Sequence, residues 1–263
     1  MTTTGDILRF IHTIAPPYMK EEWDHVGLNC GRLDRQVRHV LVALDPFENV
    51  CREAKQIGAD LLVTHHALLW DPGFITDETA QGRNALYLIE NRIGHNNAHT
   101  NLDCAPGGVN DQLAQLLGLH DIRVIQPKGT DDEGREYGLL RMGQLDTMDL
   151  TDFLSLVKHR LGCQGLKYVD GGRPVRTVAV GGGSCAGALP DALLAGCDTF
   201  VTADVKYNQF FDARDLGINL IDAGHFHTEN PVVGYLAAQI GAAFPEIQVT
   251  ISQKHTDCAN FFC

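Results

Sequence analysis

The residues most suited to chemistry in this sequence are two adjacent histidines, His65 and His66, which follow a short apolar run predicted to be a strand (60–64). Side chains next to each other in a strand point to opposite faces, but where the chain bends away both imidazoles can turn into one crevice. Open α/β sheets bind their ligands at this carboxyl edge. Buried, hydrogen-bonded imidazoles are the commoner interpretation of such a pair alone, so a metal site needs further ligands.

A second copy of the pattern lies further along the chain. The segment 58–66 (GADLLVTHH) aligns with 196–204 (GCDTFVTAD). Chance similarity between apolar strands is the alternative, but it does not explain why polar residues fall at matching strand ends. We infer an internal duplication into two similar α/β halves, 1–127 and 128–263.

The further ligands come from this duplication. His99-x-x-x-Asp103 in the first half aligns with His225-x-x-x-Glu229 in the second. If the halves are related by a pseudo-twofold axis, both carboxylates and several histidines meet in the cleft between them. Pro231 fits the first turn of a helix starting near Thr228, which places Glu229 at the helix N-terminus and His225 ahead of the helix.

The types of these side chains define the metal chemistry. Imidazole and carboxylate together suit Zn²⁺, Mn²⁺ or Fe²⁺ rather than Ca²⁺. Five or six ligands exceed what one tetrahedral zinc needs, and a carboxylate can bridge two ions roughly 3.5–4 Å apart. The sequence therefore predicts two divalent ions per chain, of open identity, with His99 as a sixth candidate ligand beside His65, His66, Asp103, His225 and Glu229.

Other residues near these strand ends are weaker candidates. His227 completes a Gly-His-x-His match to calcineurin-like metallophosphoesterases, but the D-x-H and G-N-H-[DE] segments of those enzymes are absent, so we expect it at most to transfer protons. Asp204 and Lys206 are predicted to bind substrate, with an ordinary surface lysine as the alternative. The segment 181–184 (GGGS) can form a phosphate-binding nest, but a tight turn is favoured because no Walker lysine follows.

The elements around these residues alternate between strand and helix, which predicts an α/β fold with parallel strands. An opening helix is expected over 6–15, and the polar segment 127–137 is the expected connection between the halves. The remaining expected strands are 37–44, 175–180, 199–202 and 218–221, and the remaining expected helices are 47–57, 84–91, 109–117, 189–194 and 208–216.

Composition limits the class of protein. The formal net charge is −12, which disfavours a nucleic-acid partner because backbone binding needs clustered Lys and Arg. Apolar runs are too short for a membrane span, and the first residues do not resemble a signal peptide. The eight cysteines form no C-x-x-C pair and read as reduced thiols. We expect a cytoplasmic protein.

Taken together, the motifs resemble the NIF3-like dinuclear metal-centre family, whose members are often called GTP cyclohydrolase 1 type 2 homologues. The similarity covers nearly the whole chain. It rests on seven segments in the family's order: 23–28 (WDHVGL), 43–45 (ALD), 58–66 (GADLLVTHH), 99–103 (HTNLD), 182–184 (GGS), 204–207 (DVKY) and 224–229 (GHFHTE). Three residues depart from the family pattern, namely His25 in place of asparagine, Ala203 in place of glycine and Asn208 in place of histidine.

The resemblance implies two α/β halves around a dinuclear site, a bridging Glu229 and a homohexameric ring. None of the three departures removes a ligand, but Asn208 excludes a proton relay through a histidine at that position. The leading hypothesis is a metal-dependent hydrolase in which His99 or His227 moves protons. Its substrate would be a nucleotide such as GTP or another phosphorylated metabolite. The alternatives are a non-catalytic, metal-binding, ring-shaped scaffold or partner-binding protein, and a metallophosphoesterase.

Overall fold

The computed structural model describes residues 1–71 and 73–262. The helices are α1 (Thr4–Ile14), α2 (Glu48–Gln56), α3 (Ala80–Glu90), α4 (Thr100–Cys104), α5 (Val109–Leu116), α6 (Leu150–Leu161), α7 (Leu189–Leu194), α8 (Tyr207–Leu216), α9 (His225–Glu229) and α10 (Pro231–Ala243). The strands are β1 (Gly27–Cys30), β2 (His39–Ala43), β3 (Leu61–Thr64), β4 (Gly94–Asn97), β5 (His120–Ile125), β6 (Gly129–Thr130), β7 (Glu136–Tyr137), β8 (Leu140–Met148), β9 (Lys167–Val169), β10 (Val175–Val180), β11 (Thr199–Thr202), β12 (Asn219–Asp222) and β13 (Gln248–Ile251).

The chain folds into two compact units. The first contains residues 1–105 and 232–256, and the second contains 106–231 and 257–263. Residues 232–256 return to the first unit because β13 pairs in parallel with β2. The compact units therefore do not follow the division at 127/128, which stays a prediction about duplicated halves.

The first unit is built on a five-stranded sheet in the order β1-β4-β3-β2-β13. All neighbours are parallel except β1 and β4. Strands β2 and β3 are buried along their whole length, as expected for parallel strands covered on both faces. Helix α1 begins with a capping box between Thr3 and Asp6 and buries Ile7 and Ile11, so the predicted opening helix is confirmed to within two residues at its start and one at its end.

The second unit contains a six-stranded mixed sheet in the order β5-β8-β10-β11-β12-β9. The central strands β10, β11 and β12 are parallel, and the others pair antiparallel. The expected strands at 175–180 and 199–202 are confirmed, and the strand expected at 218–221 lies at Asn219–Asp222. Both units are therefore mixed α/β folds with a parallel centre.

Helices near the predicted site begin and end for local reasons. Thr79 caps α3 by accepting a hydrogen bond from the Gly82 amide at 3.0 Å, so this helix starts four residues before the predicted 84. Gly217 ends α8 in the left-handed conformation, which glycine adopts at little cost. Among the residues described, none of the helices combines the length and apolar character that crossing a membrane requires.

Candidate metal centre

In the first unit, the carboxyl ends of three adjacent parallel strands bring polar residues together. Asp45 follows β2, the pair His65-His66 follows β3, and His99 follows β4. Parallel neighbours end at the same edge of a sheet. One ring nitrogen from each of His65, His66 and His99 lies within 4.8 Å of the others. The sequence prediction that this strand end gathers histidines is thus matched by the structure.

Each of these three imidazoles has its Nδ1 next to an oxygen acceptor. Nδ1 of His65 lies 2.9 Å from the carbonyl oxygen of Ala98, and Nδ1 of His66 lies 2.6 Å from Oδ1 of Asp45. Nδ1 of His99 lies 3.0 Å from Oδ2 of Asp24. A carbonyl only accepts, so Nδ1 of His65 carries the proton and its Nε2 offers the lone pair. This is the arrangement that metal-binding histidines adopt.

The two orienting carboxylates are held ionised. Burial raises the pKa of Asp24, but the nearby His99 ring and hydrogen bonds from the amide and hydroxyl of Thr100 outweigh burial and hold that pKa well below its usual range. For Asp45, burial is again opposed by hydrogen bonds, here from His255 and His66, and its pKa is likewise well below the usual range. Ionised carboxylates accept hydrogen bonds and increase the basicity of the imidazoles they orient.

Asp103 completes the first unit's set. It lies in α4, directly after His99, and its amide donates to the His99 carbonyl oxygen at 3.0 Å. Its Oδ1 lies 3.6 Å from Nε2 of His65, and both side chains are almost fully buried. The four predicted first-half candidates, His65, His66, His99 and Asp103, are therefore at one place.

The second unit repeats this placement with other residues. Asp204 follows β11 and His225 follows β12. Nδ1 of His225 lies 2.7 Å from Oδ2 of Asp204, and its Nε2 lies 3.0 Å from Oε2 of the buried Glu229. Imidazole and carboxylate again meet with Nδ1 already engaged. Asp204, predicted to bind substrate, here orients His225, and Lys206 is exposed at the N-terminus of α8.

The relation of His225 to Glu229 corrects one expectation. The predicted helix start near Thr228 is wrong, because α9 begins at His225, after Gly224 in a positive-φ conformation, and ends at Glu229. The two residues are thus an i, i+4 pair on one helical face. Helix α10 then begins at Pro231 itself, which suits the first turn.

The glycine turn 181–184 serves Glu229 rather than a phosphate. The amide of Gly182 donates to Oδ1 of Asn110 at 2.7 Å, and the amide of Gly183 donates to Oγ1 of Thr228 at 3.0 Å. Both amides are therefore used within the protein. A Cβ at Gly183 would overlap Oε1 of Glu229. The turn needs glycine so that this carboxylate can approach the backbone, a role that the sequence pattern does not reveal.

Two further histidines contact carboxylates. Nδ1 of His227 lies 3.1 Å from the Leu161 carbonyl oxygen, and its Nε2 lies 3.3 Å from Oδ2 of Asp257. These contacts anchor His227 to α6 and to the C-terminal segment. His255 is not among the candidates from the sequence, and its Nε2 lies 2.9 Å from Oδ2 of Asp45, next to the first unit's histidines.

Comparison with known proteins decides the family. Residues 2–258 match the model of the Duf34/NIF3 (NGG1p interacting factor 3) family. The chain belongs to this family. A NIF3-family relative from Clostridium perfringens, named GTP cyclohydrolase 1 type 2 homolog, is 37% identical over 261 residues, with 98% of each chain covered. A relative of the same name from Streptomyces coelicolor is 36% identical, covering 98% of this chain and 93% of its own.

Solved structures agree with this membership. The crystal structure of a Bacillus cereus protein related to NIF3 superposes with a TM-score of 0.93 at 26% sequence identity, covering 100% of this chain and 99% of that one. The predicted family is thus confirmed. This NIF3-family chain holds groups of buried and half-buried His, Asp and Glu side chains that could bind metal.

Proposed function

We propose that this NIF3-family chain is a metal-dependent hydrolase that acts on a nucleotide or another phosphorylated metabolite. One observation supports it above all others: His65, His66 and His99 converge with each Nδ1 next to an oxygen acceptor. Such a set costs free energy to assemble in a folded protein, and its arrangement is the one that prepares Nε2 atoms for a cation.

The full proposal is a dinuclear centre. His65, His66 and Asp103 from the first unit and His225 and Glu229 from the second would be the ligands, with Glu229 bridging and His99 as a further candidate. The support is the aligned His-x-x-x-acid patterns and the family resemblance, which also motivate the proposed duplication and the homohexamer. The imidazole and carboxylate donors suit zinc, iron or manganese.

Bound divalent ions would supply Lewis-acid activation of water and substrate. The chain's own residues would do the rest. Asp45, Asp24 and Asp204 fix the ring orientation of His66, His99 and His225, respectively. His99 stands where it can either hold an ion or move a proton. His227 stays a predicted proton-transfer residue, although its two nitrogens contact Leu161 and Asp257.

The first experiment is anaerobic purification followed by metal analysis of the wild-type protein, Glu229→Ala and a control, Glu90→Ala, at an exposed end of α3. About two ions per chain in the wild type and the control, falling sharply in Glu229→Ala, would support the dinuclear centre. One ion or none in all three proteins, not restored by added metal, would overturn it.

Catalysis needs its own test. Wild-type, His99→Gln and His227→Gln proteins are loaded with metal and assayed for hydrolysis of GTP, other nucleotides and simple phosphate esters. A variant that keeps its metal but loses turnover has lost a proton-transfer group, whereas a variant that loses metal has lost a ligand. If no substrate is turned over and metal removal only lowers the melting temperature, the scaffold alternative replaces the hydrolase.

A further inference from the structure

Both tryptophans of the chain lie at one place in the first unit. Trp23 precedes β1, Trp70 follows the His65-His66 segment, and their ring centroids are 6.4 Å apart with planes inclined by 32°. Both remain accessible, with exposed fractions of 63% for Trp23 and 37% for Trp70. The sequence contains two tryptophans in total. Exposed, clustered aromatic rings bury little of their own surface, which marks a binding surface rather than a core.

Both rings also contact the same candidate metal-centre residue. The imidazole of His99 lies 4.8 Å from the ring of Trp70 and 5.9 Å from that of Trp23, with interplanar angles of 79° and 69°. The neighbours Trp23 and Asp24 both contact His99. Asp24 lies next to Nδ1 of His99, and Trp23 lies beside the ring. The aromatic surface therefore adjoins the candidate centre.

The geometry defines how a ligand could use these rings. Inserting a flat ring between two others needs two carbon–carbon contact distances, roughly 7 Å in all. The centroid separation of 6.4 Å and the tilt of 32° leave less room than that. A ligand ring must then stack on the accessible outer faces, so that the tryptophans form a ledge and not a clamp.

The size and surroundings of the ledge favour a small planar ligand. A stable protein partner covers roughly 800 Å² on each side, far more than two partly exposed indoles offer. Asp24 is fully buried behind the ledge, but 11% of the His99 side chain is exposed beside it, so a ligand that stacks here can also meet a polar imidazole. Heteroaromatic rings combine a π face for stacking with polar edges.

We propose that Trp23 and Trp70 form a stacking ledge for a flat heteroaromatic ring, such as a purine, in the substrate of the candidate centre. The proposal rests on the proposed function, because it names the class of substrate for the same site. The ring lies on the tryptophans, and the group that reacts extends toward His65, His66 and His99.

Intrinsic fluorescence tests the ledge directly, because all tryptophan emission of the chain comes from it. The probes are GTP, guanosine and inorganic triphosphate, with excitation at the red edge where purines absorb little. Saturable quenching by GTP and guanosine but not by triphosphate is expected. Equal responses to GTP and triphosphate, or no response to any probe, would overturn the ledge.

Variants provide a second measurement, by calorimetric titration of guanosine. Trp70→Leu and Trp23→Leu should each raise the Kd about tenfold, which is typical of one lost stacking contact. Trp70→Phe and Trp23→Phe should recover most of the affinity. Tyr168→Leu, which removes a 53% exposed aromatic residue elsewhere, is the matched control and should leave the Kd unchanged. Unchanged affinity in both folded Leu variants would overturn the proposal.

Repeating the guanosine titration on chelator-treated protein separates this proposal from the proposed function. The ledge consists of the chain's own side chains, so guanosine should quench the metal-free protein as well. If guanosine quenches the emission but the protein neither takes up metal nor hydrolyses a substrate, the ledge is supported and the proposed hydrolase function is overturned. If both Trp→Leu variants hydrolyse substrate as fast as the wild type, the hydrolase is supported and the ledge is overturned. Emission that changes with protein concentration rather than with ligand would show a second copy of the chain on the ledge and overturn its assignment to substrate.

Discussion

The imidazole of His255 lies against the carboxylate of Asp45, with 2.9 Å between Nε2 and Oδ2. The other oxygen of this carboxylate, Oδ1, lies 2.6 Å from Nδ1 of His66. Asp45 therefore joins a residue near the C-terminus to a candidate metal ligand. Since the orientation of a ligand depends on the group behind it, His255 acts on His66 through Asp45.

The variant His255→Gln should weaken metal binding without removing a ligand. We expect a rise in the metal Kd of about tenfold, the lower end of the effect of such supporting residues. Asp45→Asn, which removes the charge in direct contact with His66, should have the larger effect. Competition titration with a chromogenic chelator measures both. The control is His120→Gln, because His120 is exposed and pairs with its neighbour Asp121. Identical Kd values for His255→Gln and the control would show that His255 only packs.

Gly183 should be essential for the second unit's ligands. In Gly183→Ala the new Cβ overlaps Oε1 of Glu229, and the φ of +61° is unfavourable for any residue with a side chain. The carboxylate must move, so we expect the metal content to fall as in Glu229→Ala, together with a loss of about 1–3 kcal/mol of unfolding free energy.

Gly187→Ala is the matched control for this change. Gly187 lies four residues further on, and a Cβ there meets no atom within 4 Å. It should keep the wild-type metal content and stability. If Gly183→Ala also binds as much metal as the wild type, metal binding does not require the Glu229 carboxylate at its present position.

The sequence predicts those parts of this site that depend on local patterns. Buried parallel strands have a simple signature, so the positions of His65 and His66 at a strand end follow from the apolar run of β3 before them. The strand before His99, β4, consists of Gly-His-Asn-Asn and lacks this apolar signature. Helix α9 is not predicted because its five residues are too few for a periodic pattern, and Pro231 also fits a helix that starts earlier. Strand β8 is not among the predicted elements either, because its partly exposed second half lacks the continuous apolar residues of a buried strand.

Contacts between distant positions account for what the sequence does not reveal. His255 and Asp45 are 210 positions apart, and nothing around His255 signals a partner. The need for glycine at 183 likewise comes from Glu229, which lies beyond β11, α8 and β12 along the chain. Such pairings become visible only in the folded chain.

His95 should make the first unit's stability depend on pH. It is fully buried in β4, where its Nε2 lies 2.8 Å from Oγ1 of Thr64, and burial lowers its pKa from 6.5 to about 3. Between these values the unfolded chain binds a proton that the folded chain does not. Stability is therefore lost as pH falls from 6.5 toward 3, by at most about 1.4 kcal/mol for each pH unit.

The variant His95→Gln removes this contribution. Chemical unfolding of metal-free protein at several pH values between 6.5 and 4 should show a shallower loss of stability in His95→Gln than in the wild type. The lowered pKa values of Asp24 and Asp45 also reduce stability in acid, but they act equally in both proteins. If stability falls with pH equally steeply in both proteins, then His95 is protonated in the folded chain or its pKa changes little on unfolding.

Arg141 and Asp111 form a buried ion pair in the second unit that should be costly to break. Nε of Arg141 lies 2.9 Å from Oδ1 of Asp111, and the exposed fractions of the two side chains are 2% and 15%. Oδ2 of Asp111 also accepts from the Gly107 amide at 2.8 Å. Arg141→Met leaves this carboxylate charged and poorly solvated, so we expect a loss of about 3 kcal/mol in urea unfolding.

Adding Asp111→Asn to Arg141→Met should recover part of the loss, because the neutral amide keeps an oxygen for Gly107 without a buried charge. The control is Arg135→Met, whose ion pairs with Asp131 and Glu133 involve an Arg side chain that is 52% exposed. Exposed pairs contribute about 1 kcal/mol or less. If Arg141→Met and Arg135→Met cost the same, the burial of Arg141 adds nothing to its ion pair, and the double variant should then show no recovery.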